Sequence, residues 1–157
     1  MNTYRRSFFK SSTCKVEILP LIFLLYILSM YYENLAFWEW GGRECLIFFI
    51  LVILALPSIY SVVSLLFYIE LYEDRVVLVN GIFKSWSKTY TFHQYPYCRI
   101  EYNNGYLVNI IKMRKNNIDK FFPCYGIDLV DPKDLKEIVS FMESKGVTVI
   151  TKDLKDL

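Results

Sequence analysis

Apolar and polar positions divide this chain near residue 70. From Cys45 to Ile69, 25 consecutive residues carry no charge, and Glu44 and Glu70 bracket them. At about 1.5 Å per residue, a helix of that length exceeds the roughly 30 Å hydrocarbon core of a bilayer. The pattern predicts a membrane span over about 45–68. An earlier apolar stretch, Ile18 to Tyr32, has 15 residues between Glu17 and Glu33. Alone it would reach only about 22 Å, so a span there must extend over about 16–38. Pro20 then falls in the first helical turn, where its missing N–H costs little. Tyr31, Tyr32, Trp38 and Trp40 suit a headgroup-level belt, and Gly41-Gly42 supplies a turn. A cleaved signal peptide competes for the first stretch. No small-x-small cleavage site follows it, however, and a second apolar run comes at once. Residues 16–68 therefore read as a helical hairpin in a membrane.

After Glu70 the period changes to two. Ile69–Tyr72 and Val76–Val79 flank a turn at Glu73-Asp74-Arg75, and Asn80-Gly81 is a strong hairpin signal. Lys84–Phe92 reads as one strand, with Trp86, Tyr90 and Phe92 on one face and Ser85, Ser87, Thr89 and Thr91 on the other. Cys98, Ile100 and Tyr102 alternate with Arg99 and Glu101. Asn103-Asn104-Gly105 and Asn116-Asn117 then turn the chain through Tyr106–Met113 and Ile118–Tyr125. Successive hairpins predict a mainly antiparallel sheet. A helix follows. Asp131 is its N-cap, Pro132 its first residue, and Leu135, Ile138, Val139 and Met142 form an apolar face before Lys145-Gly146. Val147–Ile150 can add a last strand. The expected fold is a membrane α-helical hairpin plus an α+β domain (69–157), a curled antiparallel sheet or barrel capped by the terminal helix.

Composition agrees with that division. The 157 residues are 54% hydrophobic, with a mean hydropathy of +0.27. That is too apolar for an ordinary soluble domain, and the chain is too short for a polytopic transporter. A net charge of +2 gives no case for nucleic acid. Cys14, Cys45, Cys98 and Cys124 show no paired spacing, which predicts free thiols in a reducing compartment. Charge also sets orientation. Arg5, Arg6, Lys10 and Lys15 form a basic N-terminus (1–15), whereas Glu33 to Glu44 holds three acids against Arg43 alone. The positive-inside rule places both termini in the cytoplasm, with those four cations as topology anchors.

The order and spacing of these elements resemble bacterial membrane proteins that carry a pleckstrin-homology-like domain. The local segments that bear the likeness are Tyr72–Gly81 (YEDRVVLVNG) and Asp131–Gly146 (DPKDLKEIVSFMESKG). The resemblance implies an inner-membrane, multi-pass protein with a tethered binding or scaffolding module and no general catalytic site. The basic phosphoinositide pocket of eukaryotic relatives is not evident.

Candidate chemistry is sparse. His93 lacks a recognisable nucleophile or orienting partner nearby in sequence, and no phosphate loop, metal-spaced cluster or catalytic triad signature is present. No enzyme activity, cofactor or metal is therefore expected. Pro57-Ser58 reads as a tolerated kink, and Ser58, Ser61 and Ser64 as a helix-contact stripe. Phe121, Phe122 and Tyr125 are either core or an exposed patch for a partner. The most informative constellation is basic. Lys112 and Arg114 share a strand face, Lys115 follows, and the next turn brings Lys120 alongside. Near an anionic leaflet each such charge contributes roughly 1 kcal/mol; in water it is ordinary solvated surface, partly offset by Glu101 and Asp119. The leading expectation is a noncatalytic module that positions a protein partner, or a second copy of itself, at the bilayer. Anionic-lipid recognition through 112–120 is the alternative, and an accessory role in a membrane enzyme or transporter the third.

Overall fold

In the computed structural model, residues 1–16, 18–33, 41–105, 107–116, 123–152 and 154 are described. Two four-stranded sheets and a C-terminal helix form an α+β fold, with apolar helices running before it. The first sheet is antiparallel throughout, ordered β1 (Asn2–Tyr4), β2 (Phe67–Leu71), β3 (Arg75–Asn80) and β4 (Lys88–Thr91). The second is ordered β7 (Tyr125–Gly126), β6 (Val108–Arg114), β5 (Tyr97–Asn103) and β8 (Thr148–Lys152). Its pairs are antiparallel except β5–β8, which is parallel. An isolated bridge pairs Leu66, just before β2, with Ile127, just after β7.

Alternation puts one face of each sheet into a shared core. Ile69, Leu71, Val76 and Leu78 come from the first sheet and Cys98, Ile100, Ile111 and Met113 from the second. Helix α4 (Leu135–Ser144) closes the core with Leu135, Ile138 and Met142, all buried at one-turn spacing. Burying each such side chain contributes about 1.5–3 kcal/mol. The signals around this helix act as their chemistry requires. The Asp131 carboxylate accepts from the Lys133 N–H at 3.1 Å, Pro132 opens a 3-10 turn, and Gly146 at φ +82° ends the helix.

Three features depart from the pattern-based expectation. The segment expected as a strand over Lys84–Phe92 forms β4 only from Lys88, and Lys84–Trp86 is a 3-10 turn. The cause is Asn80. Instead of turning tightly with Gly81, its buried carboxamide oxygen accepts from the N–H groups of Ile82 (3.0 Å) and Phe83 (2.8 Å), which steers the chain out of the sheet. Trp86 consequently leaves the face that holds Tyr90 and Phe92 and is exposed. The N-terminal segment also enters the fold: Asn2, Thr3 and Tyr4 pair with Leu71, Glu70 and Ile69. Last, the C-terminal strand lies parallel to β5, a pairing that hairpin logic does not anticipate.

The helices before β2 are α1 (Ser12–Val16), α2 (Ile18–Glu33) and α3 (Gly42–Leu65), with α2 packed beside α3. Among the described residues, α3 alone is long and apolar enough to cross a membrane, over the 21 residues Cys45–Leu65. Only 17% of its most apolar stretch is buried within the chain. The apolar run of α2, Pro20–Met30, is shorter. The expected extension of a first span to 38 lies outside the described residues beyond Glu33.

Candidate functional site

The C-terminal end of α3 is clamped between both sheets. A helix leaves its last carbonyls without internal partners, and here two loops supply donors. The Asn80 amide Nδ2 donates to the Val63 carbonyl at 2.8 Å, and the Asp128 N–H donates to the Leu65 carbonyl at 3.2 Å. One residue later the Gly81 N–H donates to the Leu66 carbonyl at 2.7 Å. Gly126 sits so close that a Cβ there would meet the Leu65 Cα at 2.6 Å. Helix α3 thus passes into β2 through Leu66 alone, with no free linker.

Asp128, whose side chain is almost wholly buried, ties down the N-terminal segment. Its Oδ1 accepts from Arg6 Nη2 at 2.6 Å and from the Ser12 N–H at 3.1 Å. Its Oδ2 accepts from the Thr13 N–H at 2.7 Å. Arg6 also donates through Nε to the Asp128 carbonyl at 2.7 Å. The Ser11 hydroxyl accepts from the Cys14 N–H, completing the first turn of α1. Of the expected topology anchors, Arg6 is therefore held inside this knot, and Arg5 stacks 5.0 Å from the Tyr68 ring centroid. Lys10 is exposed, and Lys15 lies in α1.

The second sheet brings the basic residues together on its outer face. Register pairs Arg99 with Lys112, Tyr97 with Arg114 and Glu101 with Ile110, while Ile150 and Lys152 of β8 flank Arg99 and Glu101. Glu101 sits between two cations, 2.5 Å from Lys112 Nζ and 2.6 Å from Arg99 Nη2. Burial pushes its carboxyl up, but Lys112, Arg99 and Lys152 together outweigh that and hold it below the usual carboxylate range. Three cations thus surround one carboxylate. The buried Nε–H groups of Arg99 and Arg114 have no acceptor among the described residues. Lys115 leaves this row and lies 5.4 Å from the Tyr95 ring centroid. Lys120, with Asp119, lies outside the described residues.

The same face meets α3. Ile110 and Val108 pack with Leu65 in a cluster separate from the main core. Lys112 and Arg114 follow Ile110 at steps of about 7 Å along β6. Sequence reasoning found the two cations of β6 but missed Arg99 and Lys152, whose nearness depends on strand pairing.

No family model, curated protein or solved structure matches this chain. Its chemistry must be read from its own residues. His93 is exposed in a turn, and no group of three or more histidine, cysteine or acidic residues is placed to hold a metal among the described residues. All four cysteines are free thiols, and burial pushes the Cys98 thiol up to about 12. Two serines of α3 bond back to their own helix: Ser58 donates to the Leu54 carbonyl at 3.0 Å and Ser64 to that of Ser61 at 2.8 Å. Tyr125 belongs to an intersheet aromatic group, 5.1 Å from Phe67 and bonded to the Tyr90 hydroxyl. Phe121 and Phe122 lie outside the described residues. A cleft of about 580 Å³ opens beside the last turns of α3, lined by Tyr60, Ser64, Phe67, Trp86, Lys88 and Cys124 among others.

Proposed function

We propose that this protein is a noncatalytic, membrane-anchored binding module that positions a protein partner, or a second copy of itself, at the inner membrane. The observation that carries this reading is the clamp on α3. A helix of spanning length enters the sheet domain without a linker, so the domain would ride at a fixed height and attitude over the bilayer. In this reading α2 and α3 form the membrane hairpin, both termini are cytoplasmic, and the domain is pleckstrin-homology-like. Exposed apolar side chains on both helices support the hairpin, including Phe23 and Tyr26 of α2 and Phe49 and Ile53 of α3. Two sheets enclosing a core beneath a C-terminal helix support the domain assignment, with β1 and β8 as additions to that plan.

The partner surface is the open edge of β8. This strand ends the second sheet among its described residues, and Ile150 is exposed on it. An unpaired strand edge is a template for an added strand. A photoreactive residue at Ile150 of the full-length protein, activated in native membranes, tests the reading. It is expected to yield a discrete protein adduct, either a partner or a dimer, identifiable by mass spectrometry. Lipid adducts alone at this position would overturn it.

A second reading has its own support. Arg99, Lys112 and Arg114 share a face with Ile110, which abuts the end of α3, so a spanning α3 would hold those cations near anionic headgroups. Lipid co-purifying with the full-length protein in nanodiscs should then lose its anionic enrichment in the K112A/R114A/K115A variant and at high salt. Unchanged lipid composition would remove this reading.

A further inference from the structure

The segment between β3 and β4 exposes Ile82 (48%), Phe83 (47%) and Trp86 (42%). The rings of Phe83 and Trp86 lie 5.5 Å apart. Such a cluster on a short loop costs free energy in water unless something covers it. Its position identifies the cover. The Trp86 ring is 6.4 Å from that of Tyr60, itself 65% exposed on α3. Tyr60 lies five residues before the end of the apolar run at Leu65, about 7.5 Å along the axis. If α3 spans, both rings occupy the depth where tyrosine and tryptophan concentrate at a bilayer surface.

Part of the loop's backbone is already bonded as that setting requires. Entry into a low-dielectric layer penalises every unbonded N–H. Here the amides of Ile82 and Phe83 donate to Asn80 Oδ1. Those of Trp86 and Ser87 donate to the carbonyls of Phe83 and Lys84. Exposed Lys84 and Lys88 flank the rings and can reach back to phosphates.

We infer that the 82–86 loop is a second membrane contact, inserting Ile82, Phe83 and Trp86 into the headgroup–acyl boundary of the anionic leaflet beside α3. This rests on the membrane-anchor reading and adds a defined point at which the domain itself touches lipid. It is independent of the Lys112 face.

The chain has three tryptophans, Trp38, Trp40 and Trp86, so the W38F/W40F variant leaves Trp86 as sole reporter. Full-length protein in vesicles of anionic lipid, brominated either near the headgroup or near the chain end, measures its depth. The expected result is blue-shifted Trp86 emission, quenched roughly twofold more by shallow than by deep bromines, as an interfacial ring requires. Emission quenched by aqueous acrylamide and untouched by bromine would overturn the inference, as would a blue shift without bromine quenching. Ile53→Trp in a W38F/W40F/W86F background reports the span separately. Deep quenching there with none at Trp86 removes the loop contact and leaves the anchor. Quenching at neither position removes both.

Discussion

Changing Asp128 to alanine would remove, in one step, the acceptor for Arg6 and for the Ser12 and Thr13 amides. Deleting one partner of a buried ion pair typically costs about 3–5 kcal/mol. A drop of that order is expected in the unfolding free energy of the full-length protein in detergent, with earlier proteolysis of the N-terminal segment. Glu101 makes a different statement. Its carboxyl titrates below the ordinary 4.5 because Lys112 and its neighbours outweigh burial. A depressed carboxylate contributes stability that is present above its unfolded pKa and lost as pH falls through the folded value. Glu101→Gln should flatten that acid limb of the stability profile below about pH 5, as followed by circular dichroism. Cysteine reactivity gives a third check. In a C14S/C45S background, maleimide should label exposed Cys124 rapidly and leave Cys98 unmodified until the protein unfolds. The offset of Lys112 by Glu101 and the free state of the thiols were legible in the sequence, but the role of Asp128 was not. Asp128 reads there as one more acid near a turn, because its partners lie more than a hundred residues away.

Among the elements, what depends on local chemistry was readable. Asp131, Pro132, Gly146 and the apolar spacing of Leu135, Ile138 and Met142 place α4, alternation places β5, and the Asn103-Asn104-Gly105 turn places β6. What depends on a distant contact was not. Trp86 fits the alternation of β4, yet Asn80 is drawn to the Val63 carbonyl and turns the chain away before Lys88. Residues 2–4 are a strand only because β2 offers them an edge. The junction of α3 with β7 is equally nonlocal. A methyl group on Gly126 must displace the Leu65 backbone, so Gly126→Ala should lower stability by about 1–3 kcal/mol, as overpacking does. Thermal unfolding of the purified variant measures this. Amides around Leu65, Leu66 and Gly81 should also exchange hydrogen faster in it, whereas protection of α4 should persist.

At the scale of the molecule, the uncharged run ending at Ile69 supports a membrane anchor more strongly than any side-chain cluster supports a ligand. The helix it forms ends on donors from the loops that follow β3 and β7, and the sheet domain is built onto that end. The proposed orientation rests on charges at the two ends of the helical region, and impermeant thiol labelling of intact cells tests it most directly. In the C14S/C45S background, a cysteine replacing exposed Gly41 and the native Cys124 mark the two sides. The expected result is labelling of position 41 in intact cells, and of Cys124 only after permeabilisation. Labelling of both positions from the same side, or recovery of the protein in the fraction released by alkaline extraction, would contradict a membrane-spanning anchor with its domain in the cytoplasm.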